Sequence, residues 1–310
     1  GAARKRHPDV RLDYAIEYAE RMLQPGYYFM DSPGNDLESI AGQVASGGNL
    51  IYFITGNGSI TNFPFVPTLK VVTTSERYEL LSQDMDVNAG AYLDGTPMDE
   101  LGRQMLDLTI DTASGTPSKG ERAGHAQVSI WRDWRQTDGI HLQELLDASQ
   151  PSGQPLELSG KVESANPAIA ISAYQDKSRI TTDRVGLIMP TSLCSGQIAR
   201  MAAMRLNDSG LADVLGLSRF VSLTHTEGCG ASGGASEELY TRTMIGYLTH
   251  PFVTCGLLLE HGCERTHNDY YREQLRERGI DMNQFGWASV QLDGGIDRVM
   301  SRIEDWFRVT

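Results

Sequence analysis

The chain has 310 residues, a formal net charge of −13 and 40% apolar residues. This length allows about two domains with a sizeable core, and the negative charge argues against nucleic-acid binding, which depends on neutralising phosphates. No apolar run reaches the length of about 18 residues that a transmembrane helix needs, and the polar, basic first residues do not resemble a signal peptide. We therefore expect a cytoplasmic protein that binds neither membrane nor nucleic acid, and the sequence leaves a homo-oligomer open.

The first half of the chain alternates helical and strand patterns. Residues 12–23 carry apolar side chains at helical spacing before Pro25 and Gly26, which predicts a helix there. Beyond it, short apolar runs bounded by turn residues indicate strands, and apolar residues at a 3.6-residue period indicate helices. The resulting predictions are strands at residues 27–30, 49–54 and 69–72 and helices at residues 37–46 and 97–112.

Polar residues follow the strands of this half and suggest a ligand site. The motif TGNGS at residues 55–59 combines two glycines with polar side chains at a strand end, and Thr55, Asn57 and Ser59 would line an anion cradle for a carboxylate or phosphate. A plain turn is the simpler interpretation of the same motif. Lys70, in the next predicted strand, is a candidate for contact with a substrate carboxylate.

Residues 113–183 differ from both flanking regions. They contain scattered polar turns rich in proline, glycine and serine, with a short helix predicted at residues 139–148. We interpret the region as a connector. The predicted division is one domain at residues 1–158, connector included, and a second at residues 159–310.

The second half contains three apolar runs that predict buried strands, and each is followed at once by a loop that carries a cysteine. Amphipathic helices separate the runs, and this alternation predicts parallel sheets with right-handed crossovers. We therefore expect an α/β protein of two Rossmann-like domains with mainly parallel sheets. The runs are VGLIM at 185–189, FVSL at 220–223 and FVTCGLLL at 252–259, a fourth strand is predicted at 287–292, and helices are predicted at 197–206, 236–249, 267–278 and 296–307.

The three loops bring metal-ligating residue types to one predicted sheet edge, because parallel strands end on the same side. The loops are PTSLCSG at 190–196, HTEGCG at 225–230 and EHGCE at 260–264, and they carry Cys194, Cys229, Cys263, His225 and His261. Three thiolates can hold an iron–sulfur cluster with one open iron. One divalent ion held by His225, a cysteine and carboxylates is an alternative, and a cysteine nucleophile beside a histidine is another. Cys255 lies inside an apolar run and is predicted to be a core residue.

These motifs resemble those of the altronate/galactarate dehydratase family of sugar-acid hydro-lyases. The matching stretches in the first half are DSPGND at 31–36, TGNGS at 55–59, VPTLK at 66–70 and DMDVNAG at 84–90, and they resemble the C-terminal module of the family. The cysteine loops resemble the central module. The order of the two modules is inverted relative to the family, and the small N-terminal β-domain of the family is not seen, so we expect a C-terminal or permuted fragment.

The resemblance implies metal-dependent β-elimination of water from an aldonic or aldaric acid, such as altronate or galactarate, to give a 2-keto-3-deoxy acid. Iron is the expected metal, as Fe²⁺ or an iron–sulfur cluster, and manganese is the alternative. Two other functions stay open: a non-catalytic assembly region of a longer dehydratase, and a lyase that expels a different group, such as sulfite from a sulfo-acid. The expected metal ligands are Cys194, His225, Cys229 and Cys263, the acid/base candidates are His225, Glu227, His261 and Glu264, and the substrate-binding candidates are Thr55, Asn57, Ser59 and Lys70.

Overall fold

The computed structural model describes residues 12–132, 139–140, 142–147, 169–176, 179–230 and 233–310. Among these residues, helices and strands alternate along the chain. The strands are β1 (Tyr14–Ile16), β2 (Tyr28–Met30), β3 (Ile51–Thr55), β4 (Thr68–Val72), β5 (Val87–Asn88), β6 (Tyr174–Asp176), β7 (Arg179–Thr181), β8 (Val185–Pro190), β9 (Arg219–Ser222), β10 (Val253–Glu260) and β11 (Phe285–Ser289). The helices are α1 (Asp36–Ala45), α2 (Ser75–Leu80), α3 (Met98–Ala113), α4 (Lys119–Arg122), α5 (Leu142–Asp147), α6 (Leu193–Asp208), α7 (Leu211–Leu215), α8 (Gly234–Leu248), α9 (Asn268–Glu277) and α10 (Ile296–Val309).

The second half is built on a parallel sheet with the strand order β11–β10–β8–β9. Every residue of β8 is buried, because successive side chains of the strand pack into cores on opposite faces of the sheet. Leu187 belongs to the core that contains α8 and α9, whereas Ile188 belongs to the core that contains α6 and α10. The strand order reverses between β8 and β10, and ligands bind at such a reversal in open α/β sheets.

The first half has a smaller parallel sheet of β3, β4 and β5, with β1 and β2 forming a separate parallel pair. Asn35 begins α1, since its Oδ1 accepts hydrogen bonds from the amides of Leu37 and Glu38. The prediction of an α/β protein with mainly parallel sheets is therefore confirmed, whereas a pairing of two Rossmann-like domains is not. The predicted boundary at residues 158/159 lies outside the described residues, so the two-domain division stays a prediction.

The helix predicted at residues 12–23 is wrong. Residues Tyr14–Ile16 instead form β1, which pairs in parallel with β2. The side chain of Tyr18 is wholly buried and donates a hydrogen bond to Glu38 O at 2.7 Å, and Ala19 adopts a left-handed φ of 59°. Strand pairing and the burial of Tyr18 against α1 outweigh a weak local preference for helix.

The two halves share one apolar core, in which α1 packs against α8. Tyr247 in α8 donates a hydrogen bond to Ala41 O at 3.1 Å, and His250 Nε2 lies 3.1 Å from Gly48 O. Gly246 allows this close approach, because a Cβ at that position would lie 2.3 Å from Ala45 O. None of the helices in the described ranges combines the length and apolar character that crossing a bilayer requires.

Candidate metal centre

Three cysteines lie at the C-terminal ends of neighbouring strands. Cys194 is in the first turn of α6, directly after β8, Cys229 is in the loop after β9, and Cys263 is in the loop after β10. All three are exposed and free of disulfide bonds. Chain direction in a parallel sheet thus delivers the three thiols to the edge of the sheet where the strand order reverses.

The thiols are close neighbours. The Sγ atoms of Cys194 and Cys229 are 3.7 Å apart. The hydrogen bond with Cys229, followed by desolvation and by repulsion from Cys229 and Cys263, raises the pKa of the Cys194 thiol to about 11. Crowding thus disfavours a lone thiolate at this edge, and a bound cation would reverse that preference, because metal ions bind the deprotonated sulfur.

The loop after β10 adds an imidazole to this group. His261 Nδ1 lies 3.2 Å from Cys263 Sγ, and ligand atoms of His261, Cys263 and Glu264 lie within 4.8 Å of one another. His261 is partly exposed, so its ring can reach a ligand at the rim. The structure therefore brings together the three thiols and His261 that the sequence singled out.

Glu264 occupies a different position from that expected of an acid/base residue. It is buried, and its carboxylate accepts hydrogen bonds from the Thr191 and Ser192 hydroxyls and from the amides of His261, Gly262 and Cys263. Burial acts to raise the pKa of Glu264, but these hydrogen bonds outweigh it and the pKa is lowered. The carboxylate holds the Cys263 loop in shape and has little capacity left for proton transfer.

His225 is also enclosed. Its ring is 3% exposed, Nδ1 accepts a hydrogen bond from Glu227 N at 3.1 Å, and Nε2 lies 2.9 Å from Pro190 O. Desolvation lowers the pKa of His225 to about 4, so the ring is neutral at physiological pH. Because both nitrogens are hydrogen-bonded to the backbone, this conformation favours neither the metal-ligand role nor the acid/base role that the sequence suggested.

Glu227 lies nearer to solvent and pairs with a residue that the sequence did not single out. Arg132 approaches its Oε1 at 2.7 Å through both Nε and a terminal nitrogen, and the Thr226 hydroxyl donates to the same oxygen at 2.9 Å. This contact raises the pKa of Arg132. No motif in the sequence marks Arg132, because its partner lies 95 positions away along the chain.

The predicted substrate-binding residues of the first half lie at the end of β3, in the loop after it and in β4. Thr55 Oγ1 accepts hydrogen bonds from the amides of Asn57 and Gly58, and Ser59 Oγ donates to Thr61 Oγ1 at 2.8 Å. Lys70 is wholly buried, with Nζ 3.6 Å from an Asp86 oxygen, and burial lowers its pKa. Its ammonium group is enclosed beside Asp86 in this structure, and the substrate-binding role of Lys70 stays a prediction.

Cys255 stands apart from the other three cysteines. It is buried within β10 and packs in the apolar core against α6 and α10. Desolvation raises the pKa of its thiol to about 12. The prediction of a core residue at this position is confirmed.

The donor set fits a metal ion that favours soft ligands. Two thiolates on one tetrahedral ion, each about 2.3 Å from it, lie roughly 3.8 Å apart, close to the separation of the Cys194 and Cys229 sulfurs. Thiolate ligands suit zinc or iron, whereas manganese prefers carboxylates, carbonyls and water.

The family is established by comparison with known proteins. Residues 1–136 match the family described as D-galactarate/Altronate dehydratase, C-terminal, and residues 176–309 match the family described as D-galactarate dehydratase/Altronate hydrolase, second domain. The resemblance of the sequence motifs is thereby confirmed, including the order of the two modules.

Several curated proteins are similar to parts of the chain. Altronate dehydratase from Escherichia coli strain K12 is 29% identical over 132 residues, which are 43% of this chain and 26% of that protein. The beta subunit of (2R)-sulfolactate sulfo-lyase from Chromohalobacter salexigens is 29% identical over 123 residues, 39% of this chain and 32% of that protein. Altronate dehydratase from Bacillus subtilis strain 168 is 30% identical over 118 residues, 38% of this chain and 24% of that protein.

The matched segments thus span about a quarter to a third of the length of these relatives. Both modules are assigned to one family, and together they account for most of the residues of the chain. The chain belongs to the altronate/galactarate dehydratase family, and in it the C-terminal module precedes the second-domain module.

Proposed function

We propose that the chain takes part in the dehydration of a sugar acid of the altronate or galactarate type, at a metal centre held by Cys194, Cys229 and Cys263. The observation that carries the proposal is the contact between thiols from separate strand-ending loops, at the reversal point of the sheet, in a member of this family. Cysteines that serve only in packing are buried in a core. A cluster of exposed thiols is therefore more typical of a metal site than of a packing role.

The thiols would hold the metal, and His261 stands close enough to become a further ligand or to act on the substrate. A metal ion with an open position supplies Lewis acidity to a hydroxyl and a carboxylate of the substrate. We propose iron as the metal, because thiolates suit it and iron is the metal that the family resemblance implies. His225 and Glu264 are proposed as positioning residues, since their polar atoms are occupied by the loops that carry the thiols.

The proton transfers would fall to groups at the rim. In β-elimination a base removes the proton α to the carboxylate, the bond from the β-carbon to its hydroxyl oxygen breaks, and the hydroxyl leaves as water after taking up a proton. His261 and Glu227 are the proposed acid/base pair, because both lie at this rim on the thiol-bearing loops. Arg132 would hold the substrate carboxylate, since its guanidinium is more than half exposed beside Glu227.

A second candidate reaction is the expulsion of sulfite from a sulfo-acid. The observation that favours it is the similarity to the sulfolactate sulfo-lyase subunit, which is as identical to this chain as the altronate dehydratase of Escherichia coli. Both reactions remove a proton next to a carboxylate and expel a group from the β-carbon, so the same rim residues would serve either one.

The direct test incubates the anaerobically purified chain with altronate, galactarate and sulfolactate, and measures 2-keto acid and sulfite. The proposal predicts a keto acid from a sugar acid without sulfite, and loss of the product in Cys229→Ala but not in the matched control Cys255→Ala. Sulfite from sulfolactate would support the second candidate. If no product forms with a metal-loaded chain, the non-catalytic assembly role is the better interpretation.

A further inference from the structure

We propose that Thr266 and Tyr240 are positioning residues of the candidate metal centre, and that their hydroxyl groups set the distances between the three cysteine loops. This inference rests on the proposed function, because it concerns the geometry of the same metal centre. Thr266 lies in the loop after β10, three residues beyond Cys263, and it is 1% exposed. Tyr240 is buried on α8, the helix that follows the Cys229 loop.

The Thr266 hydroxyl joins the two other cysteine loops. Its Oγ1 donates to Thr191 O at 3.1 Å, in the loop after β8, and to Gly228 O at 3.3 Å, in the loop after β9. A hydroxyl has a single proton, so the two backbone carbonyls share it in a three-centre hydrogen bond. Because Thr266 itself belongs to the loop after β10, one side chain connects all three loops.

Tyr240 contacts the first two of these loops. Its hydroxyl donates a hydrogen bond to Thr191 O at 2.9 Å, so this carbonyl accepts from both hydroxyl groups. The Tyr240 ring also packs edge-on against His225 in the loop after β9, with the ring centres 5.7 Å apart. Thr191 lies three positions before Cys194, and His225 lies four positions before Cys229. The contacts of Tyr240 therefore fix the backbone close to two of the thiols.

The backbones of these two loops lie in contact where the hydroxyl groups join them. Gly228 adopts a left-handed φ of 100°, and a Cβ at this position would lie 2.1 Å from Thr191 O. The amide of Leu193 also donates a hydrogen bond to Glu227 O at 3.0 Å. Thr191 is wholly buried, so the loss of a hydroxyl donor would leave an interior carbonyl short of a hydrogen bond. We expect the loops to shift in response.

Such a shift would reach the thiols directly. Cys229 follows Gly228 in the chain, and its Sγ lies 3.7 Å from that of Cys194. Metal–thiolate bonds are about 2.3 Å long, so displaced loops would offer the ion a poorer set of sulfurs. Groups that orient metal ligands from outside the coordination sphere change the metal affinity by about 10–100-fold when they are removed. The role assigned to Thr266 and Tyr240 is therefore to preorganise the thiols.

The test uses Co²⁺, whose visible absorption reports the number and the geometry of its thiolate ligands. The full, anaerobically purified chain is stripped of metal and titrated with Co²⁺. We expect the Kd of Co²⁺ to rise about tenfold or more, and the thiolate absorption to weaken, in Thr266→Val and in Tyr240→Phe. Each variant keeps the size of the side chain but lacks the hydroxyl group. Thr266→Ser retains the hydroxyl group and should keep the Kd and the spectrum of the wild type.

Thr243→Val is the matched control. Thr243 is likewise buried, but its hydroxyl donates to Leu239 O, within the same helix, at 2.7 Å. The control variant should therefore change neither the Kd of Co²⁺ nor the spectrum. Equal changes in Thr243→Val and Thr266→Val, or an unchanged Kd in Thr266→Val, would overturn the inference. Tyr240→Phe decides in the same way if Thr266→Val does not fold.

A second measurement separates this inference from the proposed function. Phenylarsine oxide binds two neighbouring thiols at once, and mass spectrometry of the metal-free chain gives the fraction in which it bridges the exposed Cys194 and Cys229. We expect this fraction to fall in Thr266→Val, and equal fractions in the variant and the wild type would overturn the inference. If the fraction falls but the wild type binds no Co²⁺ through thiolates, the proposed metal centre fails and the positioning role of the hydroxyl groups stands.

Discussion

Cys194 Sγ and Cys229 Sγ lie 3.7 Å apart although 35 positions separate them in the chain. The contact arises because β8 and β9 are adjacent parallel strands whose following loops lie at the same edge of the sheet. Cys263 joins them from β10, the neighbour of β8 on its other side. Three strands of one sheet thus bring together thiols that lie far apart in the chain.

Removal of one clustered thiol should release the metal. We expect Cys229→Ala, purified anaerobically, to retain less than a tenth of the metal of the wild type, because two thiols and an imidazole bind a soft ion much less tightly than the full set. Metal per chain is measured by plasma mass spectrometry. Cys255→Ala is the control, since Cys255 lies in the core, and equal metal loss in both variants would indicate damage to the fold instead.

Glu264→Gln should loosen the Cys263 loop. The substitution keeps the size of the side chain but replaces an acceptor oxygen with an NH₂ group that faces the amide donors of the loop. Breaking this buried network is expected to cost about 2–4 kcal/mol of unfolding free energy, measured by urea denaturation of the metal-free chain, and to weaken metal binding. Glu273→Gln, on the exposed face of α9, should change neither quantity, and a similar loss there would refute the assignment.

Gly246→Ala tests the packing of the two halves. A Cβ there would meet the backbone of Ala45 at 2.3 Å, so α1 and α8 would have to move apart. We expect a loss of about 2 kcal/mol or more in unfolding free energy. Gly102→Ala is the matched control in α3, where nothing lies within 4 Å of the new atom, and it should stabilise the chain by up to about 1 kcal/mol. The same sign for both variants would contradict the shared core.

Acid should destabilise the chain through His250. Desolvation lowers the pKa of this buried ring from 6.5 to about 4. Between these pH values the unfolded state binds more protons than the folded state. The contribution of His250 to the unfolding free energy is therefore fully present above pH 6.5 and is lost as the pH falls toward 4. By pH 5 this residue has lowered the unfolding free energy by about 2 kcal/mol. His250→Gln should therefore show a smaller drop in unfolding free energy between pH 7 and pH 5, and identical drops would contradict the assignment.

Much of the second half could be predicted from the sequence, because the residue patterns that specify its strands and loops are local. Buried strands such as β8 and β10 read as apolar runs, and the loops after them carry the cysteines, so a parallel sheet was enough to predict that the thiols converge. The prediction of a helix at residues 12–23 was wrong because the interactions that favour a strand there are not local. Tyr14–Ile16 forms a strand only through pairing with β2, and the burial of Tyr18 depends on α1.

The roles of individual side chains were less predictable, since burial is a property of the folded chain. Glu264 and His225 have the residue types of acid/base groups, but backbone amides and carbonyls occupy their polar atoms. Lys70 has the charge of a carboxylate ligand but no exposed surface. Arg132 carried no sequence signal, because its position depends on a contact with a distant segment.

The central claim is that the three thiols bind one metal ion together, and X-ray absorption at the metal edge tests it most directly. For the anaerobically purified wild-type chain we expect a first shell of about three sulfur neighbours at roughly 2.3 Å, reduced in Cys194→Ala. A first shell of oxygen and nitrogen alone, with the metal bound as tightly in that variant as in the wild type, would contradict the claim.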